Sequence, residues 1–383
     1  MTEKEARIAF NMIPTVGAVT LDRLLRETHG DVAAAYELYP EKRDWEGKEP
    51  DWQRELARAE KMGVTILTAV DAAYPAQLRT IASPPLALYV VGSVEALAKP
   101  AVALVGTRHC TPYGRDLAER FAYGLAKRGW CVVSGLAHGI DACAHKGALA
   151  GEGVTVGVLG GALDMFYPKE NRPLARQMVE QGGCVVSEFP FGRSPDPQTF
   201  PQRNRVVSGL CRGVVAVECP LHSGTLITCT RAVEQGRAVM AIPGRIDWRT
   251  SEGCHHLIRE GARMVTSVDD IVEELSPLAA NAVSRKAGPQ HQRATPPPLP
   301  AVQPSPVPPP TSRKSTPVPQ PPVSAEEAQV LRGVTAAGVT LDSLIQTSGL
   351  PASRVSTLVV SLRLKGRVRL LPGNRVSLME GRN

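Results

Sequence analysis

The residues best suited to chemistry sit at the ends of short apolar runs. Gly106, Thr107 and Arg108 follow the run Ala101–Val105, and a helix pattern begins near Tyr113. A buried strand, a small-residue turn and a helix make the first half of a βαβ unit, and the helix N–H groups point back at the strand end. An anion is welcome there, and Arg108 adds a permanent cation with forked donors. Two readings stay open for this turn: a phosphate site, or a tight βα turn whose arginine caps or pairs internally. The ends of the later runs repeat the pattern. Ser134, Gly135, His138 and Gly139 follow the second run, and Gly160, Gly161, Tyr167, Pro168 and Lys169 the third. Glu188 and Phe189, then Phe200 to Arg205, follow the fourth. Glu218, Ser223, Gly224 and Thr225 follow the fifth, and Pro243, Gly244 and Arg245 the sixth. Glycine, hydroxyl and basic residues in a row along one sheet edge fit an extended polyanion better than a small apolar ligand.

Other chemistries find no support. The first strand is not followed by GxGxxG, and the second ends in Ser134-Gly135 rather than the acid that would hold a ribose. No GxxxxGK[ST] loop occurs. His138 and His145 lie seven apart, where a helical metal pair wants i, i+4. Cys254, His255 and His256 are adjacent and face different ways, so they read as structural. No Ser–His–Asp set assembles. The reading is therefore of no catalytic residue, no metal and no cofactor.

The elements that must position these residues are legible as well. Residues 100–276 alternate six strand-like runs (AVALVG, WCVVSG, VTVGVLGG, GCVVSEF, GVVAVEC, AVMAIPG) with helix-like stretches at 113–129, 139–150, 171–182, 203–211 and 225–236. That alternation predicts an α/β, Rossmann-like, doubly wound and mostly parallel sheet. Such sheets bind ligands beyond the carboxyl ends of their strands. Residues 1–75 read as a small helical domain of the SAM or helix-hairpin-helix kind. Its turn Ile13-Pro14-Thr15-Val16-Gly17 has Thr15 where a DNA-binding turn would have glycine, which makes it a packing module. Asp71 to Val94 reads as an extended lead-in, so the main domain spans 76–276.

Residues 277–322 are proline-rich, hold no acid, and read as a basic linker. Arg285, Lys286, Arg293, Arg313 and Lys314 lie on it. Residues 323–383 have the outline of a winged helix. Thr340 is a predicted N-cap. A third helix has Val355, Leu358, Val359 and Leu362 inward and Arg354, Thr357, Ser361 and Lys365 outward, and two strands flank Pro372-Gly373-Asn374. The net charge of +7 permits anionic partners, and its excess sits in the C-terminal third. The eight cysteines form no CxxC pair and read as reduced thiols of a cytoplasmic protein. The N-terminus lacks a secretory pattern, and no run is long and apolar enough for a membrane span.

The main domain resembles the DNA-processing protein A (DprA) family of bacterial natural transformation. The stretches that carry the likeness are VGTRHCTPYG (105–114), SGLAHGIDACAHKGAL (134–149), VLGGALDMFYPKEN (158–171), SEFPFG (187–192), FPQRNRVVSGL (200–210), VVAVECPLHSGTLIT (214–228), GRAVMAIPG (236–244) and SEGCHHLIREGA (251–262). The resemblance implies single-stranded DNA binding, a homodimer, and delivery of DNA to RecA recombinase. It implies that Gly106, Thr107 and Arg108 form a phosphate-binding turn and that Lys169 contacts DNA. It further implies that Arg203, Asn204 and Arg205, and Ser223, Gly224 and Thr225, line the same site. For the two arginines an internal pairing with acids such as Glu188 or Glu218 stays open. Leu257 and Ile258 are candidates for a dimer or partner face. Two alternatives remain. The first is a nucleotide phosphoribohydrolase, whose PGGxGTxxE signature is echoed by HSGTLIT with Thr228 in the glutamate's place. The second is a duplex-DNA regulator acting through the winged helix, which could equally meet a protein partner.

Overall fold

The computed structural model describes residues 1–276, 324–335, 338–351, 354–355, 358–359, 362, 367–371 and 375–378. The chain divides into two compact units, Met1–Gln292 and Arg293–Asn383.

The first unit begins with four helices, α1 (Glu3–Asn11), α2 (Ala18–Glu27), α3 (Val32–Leu38) and α4 (Trp52–Lys61). Short polar side chains start three of them. Thr2 forms a capping box with Glu5, and Asp31 and Asp51 accept from the third helical N–H. Phe10 meets Tyr36 edge-on at 5.2 Å within the small core these helices share. The expectation of helix throughout 1–75 is corrected at β1 (Val64–Thr68), which pairs antiparallel with β2 (Ala87–Gly92). Val64 and Ile66 of β1 are buried with Ala59 of α4 and with Ala87 and Tyr89 of β2, so tertiary pairing overrides the helical surroundings. Between them lies the short helix α5 (Ala76–Arg79).

Six strand–helix steps follow: β3 (Ala101–Gly106), α6 (Pro112–Lys127), β4 (Cys131–Ser134), α7 (Ile140–Ala150), β5 (Thr155–Val158), α8 (Arg172–Glu180), β6 (Cys184–Ser187), α9 (Thr199–Gly209), β7 (Gly213–Glu218), α10 (Gly224–Glu234), β8 (Ala238–Ala241) and α11 (Glu252–Arg259). The two-residue edge strand β9 (Arg263–Met264) and α12 (Val268–Leu275) complete the unit. The nine strands lie in the order β1-β2-β6-β5-β4-β3-β7-β8-β9. Pairing is parallel from β6 across to β9 and antiparallel at β1–β2 and β2–β6. This is the mostly parallel, doubly wound sheet the sequence predicts.

Strand β3 shows why the alternation was readable. Both its faces are covered, so every residue from Ala101 to Val105 is buried. Val102 and Leu104 pack with Leu117, Phe121 and Leu125 of α6. Ala103 and Val105 pack with Val206, Val207 and Leu210 on the other face. The winding reverses at β3: β4 to β6 extend to one side and β7 to β9 to the other. The carboxyl ends of β3 and β7 therefore form the switch point at which such sheets open a crevice.

In the second unit Ser324 and Thr340 cap helices Ala325–Arg332 and Leu341–Ser348, the latter as the sequence predicts. A three-stranded sheet joins Val339–Thr340, Arg375–Leu378 and Val368–Leu371. Val355, Leu358, Val359 and Leu362 are buried against Val330, Leu344, Val368 and Val376. Of the outward stripe, Arg354 bonds Glu326 at 2.6 Å. Thr357, Ser361, Lys365, Pro372-Gly373-Asn374 and the linker 277–322 lie outside the described residues. No described helix is long and apolar enough to cross a membrane. All eight cysteines are free thiols, seven buried and Cys110 partly exposed.

Candidate nucleic-acid interface

A cleft of about 380 Å³ opens at the switch point. Its walls include the turn Gly106–His109, the loop residues Gly135 and Ala137, the start of α9 at Phe200 to Asn204, and the start of α10 at Ser223 to Thr225. The first turn is held by backbone. Thr107 N–H donates to the Glu218 carbonyl at 2.7 Å, and Ile140 N–H donates to the Thr107 carbonyl at 3.2 Å. Both flanking glycines are required. A Cβ on Gly106 would stand 2.5 Å from Ile140 Cγ1, and one on Gly139 (φ +75°) would stand 2.3 Å from the Thr107 carbonyl. Arg108 then projects from a rigid base. It is exposed, lies over the Phe200 ring at 4.9 Å, and has no ion-pair partner among the described residues.

The helix termini correct one expectation. The sequence places an anion at the N-terminus of α6, after β3. That position is already taken by this chain's own carboxylate. Glu218, 3% exposed at the end of β7, accepts from Thr111 N–H at 2.9 Å, while the Thr111 hydroxyl accepts from Gly114 N–H at 3.1 Å. A buried charge at a helix start satisfies both the orphan donors and the helix dipole. The N-terminus of α10 is different. No side chain caps it, Gly224 is exposed, and a Cβ there would meet nothing within 4 Å. Its first N–H groups are the ones left to face the cleft.

The three residues 203–205 divide. Arg203 is 5% exposed and turned inward. Its Nη1 donates to the Gly135 carbonyl at 2.6 Å and also to the Val158 carbonyl. Burial pulls its pKa down to about 10 while the nearby Asp141 opposes that fall. Asp141 accepts from Gly135 N–H at 3.1 Å, and burial raises its pKa against the pull of Arg203. Arg203 and Asp141 both bond to Gly135, one at its carbonyl and one at its N–H, and so brace the cleft floor. Arg205 pairs with Glu188 inside the protein, where burial raises the glutamate's pKa and Arg205 opposes the rise. Asn204 faces the cleft and donates to the Gly224 carbonyl at 3.3 Å, joining α9 to α10.

Lys169 does not line the cleft. It is exposed in the turn Lys169–Asn171. The buried Asn171 ties that turn to the cleft loop by donating to the carbonyls of Leu136 (2.8 Å) and Ala137 (3.1 Å). Lys169 thus belongs to the rim, beside Tyr167, whose ring is 6.3 Å from Phe200. Leu257 and Ile258 are half-buried on α11 and pack against the sheet core. His138 sits 3.7 Å from Glu170, His145 is buried with Nδ1 2.7 Å from the Thr155 hydroxyl, and His255 Nε2 lies 3.0 Å from the Gly244 carbonyl. The three histidines go to different partners. Sequence reasoning missed Asp141 and the capping role of Glu218. The signal for the second was Gly114, a helix position stripped of its side chain to admit another.

The mostly parallel sheet, with an exposed arginine, an uncapped helix start and small residues at its switch point, defines a Rossmann-like protein. The chain belongs to the DNA recombination-mediator protein A family: the family model matches residues 65–276, and the DprA winged helix domain matches 314–374. It is 45% identical over 205 residues to DNA processing protein DprA of Streptococcus pneumoniae (strain ATCC BAA-255 / R6), covering 54% of this chain and 72% of that protein. An X-ray structure of the S. pneumoniae protein matches with a TM-score of 0.59 and 34% identity, over 72% of this chain and 99% of that one. DNA processing protein A from Helicobacter pylori matches with a TM-score of 0.50 and 29% identity, over 55% of this chain and 95% of that one. That structure is described for its single-stranded DNA binding mode.

Proposed function

We propose that this chain binds single-stranded DNA without sequence preference, with backbone phosphates in the switch-point cleft. The observation that carries the reading is Arg108, exposed and without an ion-pair partner among the described residues, in the same cleft as the uncapped start of α10. Phosphates contact Gly106, Thr107 and Arg108 on one wall and Ser223, Gly224 and Thr225 on the other. Asn204 fixes the spacing of the walls, Arg203 and Arg205 brace them from inside, and Lys169 meets the strand at the rim. The H. pylori relative's single-stranded DNA binding supports the choice of polyanion.

The role is non-catalytic. The cleft's carboxylate, Asp141, is 7% exposed and held by Gly135 N–H, and Thr228 supplies no acid for glycosidic cleavage. In the cell the chain protects imported single strands and loads RecA onto them, as a cytoplasmic homodimer whose face includes Leu257 and Ile258.

Fluorescence anisotropy with a labelled dT oligomer tests the cleft. Arg108→Ala removes a charge-assisted contact worth about 1.5–3 kcal/mol, a ten- to hundredfold loss of affinity. It also lowers the salt dependence by about 0.7 in log–log slope. Unchanged affinity at low salt overturns the assignment.

A further inference from the structure

A second concavity of about 330 Å³ lies on α8, outside the cleft. Its apolar wall is Leu163, Phe166, Val179 and Val185, and Arg172 and Arg176 stand over it. Both arginines are exposed, and neither has an ion-pair partner among the described residues. They are four residues apart on one helix face, about 6 Å along the axis, which is comparable to one nucleotide step of a single strand. Arg172 lies over the Phe166 ring at 5.9 Å.

The two concavities are joined by one short stretch of chain. Phe166 is in the groove, Tyr167 reaches Phe200 of the cleft, and Lys169 is exposed two residues further along the chain. Asn171 then bolts the start of α8 to the cleft loop. Cations and aromatic rings are interspersed along this stretch: Arg108 over Phe200, Tyr167 beside Phe200, then Lys169, and Arg172 over Phe166. Interspersed cations and ring faces are what a single-stranded nucleic acid asks of a surface, since phosphates take the cations and bases take the rings.

The geometry points to the α8 groove as a second subsite for single-stranded DNA, one that takes a base against Phe166 and its flanking phosphates on Arg172 and Arg176. The inference rests on the cleft as the first subsite. The half-buried apolar wall is covered by a base, and the strand that leaves the cleft past Lys169 continues across α8. A groove made for an acidic protein segment would use the same arginines, so the test separates the two.

The experiment compares a dT oligomer of about six nucleotides, enough for the cleft, with one of about sixteen. It uses the full chain, the double variant Arg172→Ala/Arg176→Ala, and Arg108→Ala. The double variant should bind the short oligomer as the wild type does and the long one roughly tenfold more weakly. Its salt slope on the long oligomer should fall by about 1.4, two phosphates' worth. Arg172→Lys/Arg176→Lys, which keeps the charges, should recover most of the affinity. A double alanine variant that holds the long oligomer as the wild type does overturns the groove subsite and leaves the cleft reading standing, and so points the groove to a protein partner. Equal loss on both lengths also overturns it. Wild-type binding of the short oligomer by Arg108→Ala instead overturns the cleft reading, and the continuation with it.

Discussion

Gly114→Ala is the substitution that most directly tests how the cleft is held. Gly114 is the third residue of α6, the position where a capping box would place a glutamate. Here the carboxylate comes from Glu218 on β7 instead, and it lies where the missing side chain would be. A Cβ on Gly114 would stand 1.9 Å from Glu218 Oε2, 2.8 Å from its Cδ and 3.2 Å from its Cβ. The glutamate cannot yield by bending its tip alone, so it leaves the site. Its bond to Thr111 N–H is lost, at about 1.5–3 kcal/mol, and the overfilled site costs about 1–3 kcal/mol more. The better helix propensity of alanine returns only about 1 kcal/mol. The net is a loss of about 2–5 kcal/mol, or roughly 3–8 °C in Tm for a unit of this size. Binding falls as well, because the Glu218 carbonyl holds Thr107 N–H at 2.7 Å and the arginine turn moves with it. Differential scanning fluorimetry and dT anisotropy read the two effects. Gly224→Ala, with open space at its Cβ, is the control that keeps the fold. An unchanged or raised Tm in Gly114→Ala would refute the steric argument. A destabilised variant with wild-type affinity at low temperature would refute the link to the cleft.

Burial, with the Arg203 charge adding to it, pulls the His145 pKa down to about 3. Between about pH 6.5 and 3 the unfolded histidine is protonated and the folded one is not, so stability falls with falling pH by roughly 1.4 kcal/mol per unit. Asp141 and Glu188, raised by burial, titrate in the opposite sense, so the comparison is with His145→Gln, whose pH slope in urea unfolding should be shallower. Equal slopes would refute the buried neutral histidine. Arg205→Met strands Glu188, which is 12% exposed, and should cost about 3–5 kcal/mol, whereas Arg205→Met with Glu188→Leu should recover most of it. A double variant as unstable as the single one argues against the pair. A chain ending at Ser276 keeps the whole cleft and should bind short dT oligomers as the full chain does; loss of binding would bring the second unit into the site.

The alternation of strands and helices was legible because both faces of the sheet are covered, which turns β3 to β8 into near-continuous apolar runs. β1 was not legible. Five residues in a helical neighbourhood carry no local mark of the strand they will pair with, and that partner, β2, lies beyond a connector. The row of small and basic strand ends was readable as a row, since the parallel winding puts those ends on one edge. Which helix start remained open to an anion was not readable. That depends on Glu218 reaching α6 from a strand far along the chain. The orientation of Arg203 and Arg205 was undecidable for the same reason: one arginine looks like another until the acids beneath it are placed.

The burial of the thiols has a practical side. Cys131, Cys143 and Cys229 are pushed up to about 12 by burial, and seven of the eight cysteines are sealed within the fold. Alkylating reagents attack the accessible thiolate. A maleimide dye added to the native protein would therefore settle on Cys110, two residues beyond Arg108. The unaltered chain carries its own single attachment point for a fluorophore or spin label close in sequence to the Arg108 turn, and no cysteine has to be engineered away to use it.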